Sequence, residues 1–152
     1  MEYPKPTSTS FAVAVHVLTA LAVGDGRPMR LEDLATSAAT GAVVIRALLS
    51  RLNEAGLTRS QLGAGGGALL AKEASGIGLL DVYRAVEDTQ IFPLHRKPPC
   101  RTCAVGGNIL AAIEPTMARA RAALEAELAK VSIHDTAAEV ARLGKFDLPL
   151  IW

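Results

Sequence analysis

A chain of 152 residues with a net charge of +1 and two cysteines suits one domain, or one compact domain plus an extension, burying roughly 70% of its unfolded surface. Two cysteines exclude a disulfide scaffold. With 50% of residues hydrophobic but only 4% aromatic, the core has to be built from Ala, Val, Leu and Ile, which favours closely packed helices. The small net charge excludes neither nucleic acid nor protein as a partner, so charge has to be read by segment.

Residues 1–7, with Pro4 and Pro6, read as a frayed leader, and the hydroxyls of Thr7, Ser8, Thr9 and Ser10 offer N-caps for a first helix through residue 22. The apolar run over 11–23 imitates the hydrophobic region of a signal peptide. Only Lys5 precedes it, His16 and Thr19 interrupt it, and it is too short to span a bilayer. It is read as a core helix, with His16 against the core or a subunit contact, in a cytoplasmic protein with reduced cysteines and no membrane partner.

Gly24, Asp25, Gly26 and Pro28 force a turn before a second helix over 31–38, which buries Leu31, Leu34 and Ala35 and starts with Glu32 and Asp33. Thr40 and Gly41 break it. A third helix over 42–55 places Val44, Leu48 and Leu52 on one face, leaving Val43, Arg46 and Ser50 toward the other. A short helix, a tight turn and a longer helix form the unit used to enter the major groove of DNA.

Gly56 stands where a helix closes with a left-handed residue, and the cluster Gly63, Gly65, Gly66 and Gly67 gives a tight, closely approachable hairpin tip. Helix plus glycine-tipped hairpin predicts a winged helix-turn-helix. Residues 41–72 carry Arg46, Arg51, Arg59 and Lys72 against Glu54, four cations to one acid and so a local +3, a surface fit for phosphates.

A fourth helix is expected over 77–86. Residues 91–107 turn irregular, with Pro93, Pro98, Pro99, Gly106 and Gly107 among basic residues, a functional-loop candidate. A long helix over 108–130 follows, whose Leu110, Ile113, Met117, Ala120 and Leu124 recur at alternating spacings of three and four, the seam that helix pairing uses. Pro115 predicts a kink or a restart within it. A last helix over 133–143 is capped by Ser132 with Asp135, ahead of a tail ending Leu148, Pro149, Leu150, Ile151 and Trp152.

Three readings of Cys100 and Cys103 stand side by side, and His95 is close enough in sequence to join any of them. The pair could hold a metal completed by a partner subunit, could cycle between dithiol and disulfide or meet an electrophile, or could be ordinary cysteines, one in a loop and one buried at the start of the long helix. Arg96, Lys97 and Arg101 would lower a thiol pKa. The metal, if any, is unknown.

The segments STSFAVAVHVLTALA, VIRALLSRLNEAGLTRSQLGAGGGALLA, IGLLDVYRAVED and CAVGGNILAAIEP resemble the IscR, NsrR and CymR group of bacterial winged-helix regulators, the Rrf2 family, and its YwnA-like branch in particular. The resemblance covers residues 8–140. It implies a homodimer with crossing long helices, two winged heads on a two-fold operator of double-stranded DNA, and transcription regulation, usually repression. The organisation expected is mainly α with a small β-hairpin wing: a DNA-binding winged head over 1–90, a sensor-type loop over 91–107, and a dimerisation helix with tail over 108–152.

Carried over by position, Gly41, Val43 and Arg46 face the major groove, and Arg46 can engage guanine O6 and N7 together. Ser10 and Ser60 become phosphate contacts, with Arg51, Arg59 and the wing glycine Gly65 beside them. Two departures stand out. Leu62 occupies the place where many relatives carry a minor-groove arginine, which leaves Arg59 to hold phosphate. The iron-sulfur members use three evenly spaced cysteines, and the positions that spacing requires before Cys103 hold Lys97 and Ile91, so the usual cluster is not expected and no cofactor is assigned.

Two other classes compete with this reading. Gly63, Gly65 and Ala68 match a dinucleotide fingerprint with Asp81 beyond, but polar TRSQ precedes the glycines where a buried strand is needed, and no catalytic constellation occurs elsewhere, so no enzyme is expected. A winged helix that binds protein instead of DNA is the remaining alternative.

Overall fold

The apolar run after Ser10 becomes the central helix of the molecule. The computed structural model describes residues 8–150, and the readings of the 1–7 leader, Ile151 and Trp152 lie outside the described residues. Helix α1, Ser10–Val23, buries Ala14 and Leu18 into one cluster with Leu48, Leu52, Leu57, Ile77, Val82, Val86 and Ile133. Its Val17, Ala20 and Leu21 enter a second cluster with Met29, Leu34, Ala35, Ile45 and Ala68. Each fully buried Leu or Val contributes about 1.5–3 kcal/mol. A helix apolar on both flanks can serve two clusters at once. His16 lies outside both, exposed, with Nε2 2.8 Å from the Ser37 hydroxyl.

Helix α2, Leu31–Ser37, buries Leu34 and Ala35, with Leu31 only half-buried. It closes in a Schellman turn in which Ala39 takes the left-handed conformation at φ 50° and the Thr40 amide reaches the Ala35 carbonyl at 3.0 Å. Helix α3, Ala42–Glu54, then leaves at 109° to α2, within the range of a helix-turn-helix.

The buried face of α3 is Ile45, Leu48 and Leu52; Val44 is 42% exposed, contrary to its expected core position. Eight residues of α-helix turn through about 800°, so Val44 is about 80° out of line with Leu52. Ile45, three before Leu48, falls nearer the middle of that face. Gly56, at φ 74°, ends the helix, with the Leu57 amide bonded to the Leu52 carbonyl at 2.9 Å.

Strands β1, Thr58–Gln61, and β2, Gly67–Leu70, form the antiparallel wing, in the register Thr58 to Leu70, Arg59 to Leu69, Ser60 to Ala68 and Gln61 to Gly67. Gly63, Gly65 and Ala68 therefore sit in a hairpin. There is no strand-to-helix turn at these glycines, and the dinucleotide reading lacks its structural context. Met29 adds a bridge that the sequence did not announce: its amide and carbonyl exchange hydrogen bonds with Ala68 at 3.0 and 2.8 Å. Gly67 permits this close approach, since a Cβ there would meet the Met29 carbonyl. The wing is thereby fixed to the chain entering α2.

After a 3-10 turn at Ala74–Gly76, helix α4, Leu79–Val86, packs Val82 and Val86 under α1. Helix α5, Ile109–Ala129, has no buried residue. It runs as one α-helix through Pro115, so of the kink or restart expected there the restart does not occur. Pro115 is exposed and the bond it forgoes, to the Ala111 carbonyl, is a single one in a 21-residue helix.

Helix α6, Ile133–Gly144, folds back onto α1. Its capping box forms as expected: the Ser132 hydroxyl accepts from the Asp135 amide at 3.1 Å, and the Asp135 carboxylate accepts from the Ser132 amide at 2.9 Å. Backbone bonds from Leu79 to Val131 and from Ile133 to Ile77 join the starts of α4 and α6.

Candidate nucleic-acid interface

Helix geometry leaves the first N–H groups of α3 without intrahelical partners, and Gly41, the N-cap, supplies no side chain to satisfy them. The opening of α3 is therefore a partial positive pole facing solvent, suited to an anion. Val43, at 82% exposure, stands on this surface. Arg46, one turn on, is exposed, and no carboxylate pairs with it among the described residues.

A cleft of mixed character runs between α3 and the wing. Arg46, Leu49, Ser50 and Asn53 line it from α3, Leu31 from α2, and Ser60, Gln61, Gly67 and Ala68 from the hairpin. The Asn53 amide and the Thr58 hydroxyl bond to each other across the start of the wing, fixing the angle between the two elements. Arg46 and Ser60 thus line one cleft, with Gly41 and Val43 at the start of the same helix and Gly65 at the tip of the wing at φ 77°.

The other candidate residues are placed elsewhere. Successive side chains of a strand point to opposite faces, and Arg59 lines a separate cleft with Lys72, Glu73 and His134 behind the wing. Arg51 lies about 140° round the helix from Arg46 and donates to the Val86 carbonyl of α4 at 3.0 Å. Ser10 is half-buried at the head of α1, its amide donating to the Ser8 hydroxyl. Leu62 is 92% exposed on the wing loop.

Asn53 and Gln61, absent from the sequence candidates, line the α3–wing cleft. Asn53 lies seven residues after Arg46, which returns it to the same helix face. That spacing was available in the sequence. Gln61 had no comparable signal, because its position depends on the pairing register.

In the segment between α4 and α5 both thiols are free and exposed. The Thr102 hydroxyl, 3.3 Å from Cys100 Sγ, is the first cause holding the Cys100 thiol below its ordinary pKa, helped by the Thr102 and Cys103 backbone. For Cys103 the Gly106 and Val105 backbone act in the same direction. Hydrogen bonds, then, and not the flanking cations, stabilise the thiolates. Gly106 makes this fold-back possible, because a Cβ there would run into the Cys100 carbonyl. Cys103 is exposed, which removes the reading of it as a buried side chain. His95 lies instead over α5, in a cavity with Phe92, Leu94, Ile113 and Met117.

On α5 the seam residues Leu110, Ile113, Met117 and Leu124 are half-buried and Ala120 is exposed. Phe92 and Leu94, each about half exposed, extend the apolar surface. On its other side α5 is tied to α4, where Arg84 meets Glu125 at 3.5 Å. No single helix among the described residues is long and apolar enough to cross a membrane.

Comparison with known proteins places this geometry. The sequence profile of the Rrf2 family, described as iron-dependent transcriptional regulators, matches residues 7–139. YwnA of Bacillus subtilis (strain 168), named as an HTH-type transcriptional regulator, is 35% identical over 129 residues, covering 84% of this chain and 94% of YwnA. The structure of CymR, the global cysteine regulator of B. subtilis, superposes with a TM-score of 0.68 at 24% identity, covering 90% of this chain and 98% of CymR. For IscR of T. potens the TM-score is 0.63 at 22% identity, covering 91% and 90%. An iron site does not fit this chain by itself, since no three His, Cys, Asp or Glu side chains gather as metal ligands among the described residues.

Proposed function

This chain belongs to the Rrf2 family of transcriptional regulators, and from that premise we propose that it acts in the cytoplasm as a homodimeric repressor on a two-fold operator. The observation that carries the reading is the shared cleft of α3 and the wing, where Arg46 and Ser60 face the same way beside the open N-terminus of α3. Arg46 reads a base pair and Ser60 holds the backbone. The partly covered seam of α5 supports pairing with a second copy, since a 21-residue helix with half-buried Leu110, Ile113, Met117 and Leu124 and no buried residue has apolar surface left over. Cys100 and Cys103, exposed and thiolate-stabilised, make the reactive centre of a redox or electrophile response.

Binding to genomic fragments over a range of salt tests the reading. Each phosphate neutralised contributes about −0.9 to the log-log salt slope, so the regulator reading requires a clearly negative slope on duplex DNA. Exposed Val43 and Leu62 favour the second reading, a protein-binding adaptor. Absence of any retention on duplex at low salt would favour the adaptor and refute the regulator.

A further inference from the structure

Three parts of the chain meet at the last turn of α4. Glu87 Oε1 accepts from the Phe11 amide at 3.0 Å and from the Ser8 hydroxyl at 2.9 Å. One residue earlier, the Val86 carbonyl accepts from the Arg51 guanidinium at 3.0 Å. Both contacts satisfy helix-end groups that a helix cannot satisfy internally, the first-turn amide of α1 and a last-turn carbonyl of α4. Thr9, the N-cap residue of α1, makes no side-chain cap bond of its own; the first-turn amides are met by the Ser8 hydroxyl, which accepts from Ser10, and by Glu87, 76 residues from Phe11 in sequence. Phe11 also meets Tyr83 edge-on, with ring centroids 6.1 Å apart.

The chain leaves this junction directly into the segment bearing Cys100 and Cys103. Arg51 is on the helix that carries Arg46, and Ser10 is in the turn that Glu87 caps. A shift in the start of the segment is therefore felt at α1 and at α3 together. We propose that Val86 and Glu87 form the joint coupling residues 88–108 to DNA reading, with Glu87 and Arg51 as positioning residues that set α1 and α3 against α4. This rests on the DNA-binding reading given above. It also gives Arg51 a different part from the phosphate contact its charge suggests.

The test uses full-length protein, the tightest-binding genomic duplex and a random duplex of equal length. Variants are E87A, E87Q and R51A. E87A and R51A each weaken operator binding about tenfold, while random-duplex affinity moves less than twofold; E87Q, which keeps a carbonyl acceptor, stays within threefold of the parent. Because coupling is reciprocal, operator binding alters hydrogen exchange of peptides from 88–108 in the parent and in E87Q, and this change is lost in E87A. The proposal is overturned by unchanged exchange of 88–108 in the parent on operator binding, by E87A binding like the parent, or by R51A losing both affinities equally. A parent that binds no duplex fails at an earlier step, the DNA-binding reading, and is told apart by that result alone.

Discussion

Removing the Arg46 guanidinium separates base reading from charge. In the proposed dimer two copies of Arg46 face the duplex. A bidentate arginine–guanine contact is worth about 1–3 kcal/mol, so Arg46→Ala removes about 2–6 kcal/mol from operator binding, roughly 30-fold to 10⁴-fold in affinity at 1.4 kcal/mol per decade. No ion pair is broken in the free protein, because no carboxylate holds Arg46 among the described residues. Fluorescence anisotropy with operator and scrambled duplexes at several salt concentrations gives both terms. Base reading leaves the scrambled affinity nearly unchanged. A phosphate contact instead lowers both affinities and reduces the salt slope by about 0.9 per protomer. Arg46→Lys keeps the charge without the planar fork and follows Ala on the operator. Equal losses on the two duplexes would refute base reading.

Other consequences follow from local geometry. Ala39→Gly relieves a left-handed alanine and raises stability by about 0.5–1 kcal/mol, the strain of about 1–2 kcal/mol less the extra freedom of glycine in the unfolded chain; an unchanged denaturation midpoint contradicts this. Ser132→Ala breaks the α6 cap and costs about 1 kcal/mol by the same assay. Asp135 has its pKa lowered, first by the Ser132 amide, so its contribution to stability is complete above the ordinary aspartate range near pH 4 and is lost as pH falls through the lower folded value; Asp135→Asn flattens the acid limb of stability against pH. Both thiols alkylate with a pH midpoint below that of an unperturbed cysteine, and Thr102→Ala moves the Cys100 midpoint upward. A Cys100 midpoint indifferent to Thr102 would disprove the assigned cause.

What could be read from the sequence was what local chemistry determines. Gly56, the wing glycines and the Ser132–Asp135 box each specify a backbone conformation with neighbours only a few residues away, and all three formed. Periodicity found α3 but centred its buried face on Val44 instead of Ile45, because a four-residue step accumulates a rotation that a short helix does not reveal. Of the kink or restart that Pro115 suggests, the restart does not form, since the helix is continuous over Ile109–Ala129. Strand alternation puts Arg59 and Ser60 on opposite faces of the wing, but which of them looks at α3 required the tertiary placement of the hairpin, and turning Arg51 toward α4 required its tertiary neighbour Val86. Glu87 was overlooked because its partners, Ser8 and Phe11, are at the other end of the head in sequence. The groups that lower the thiol pKa values are local hydroxyl and amide donors brought in by the fold-back at Gly106, which charge counting cannot see.

Hydroxyl-radical footprinting of the tightest genomic duplex, with the mass of the complex from sedimentation, tests the paired winged heads most directly. Two protomers protecting two symmetry-related half-sites, centred one helical turn or a multiple of about 10–10.5 base pairs apart, is the predicted result. A single protomer on one unpaired tract, or no protection at any salt, would contradict it.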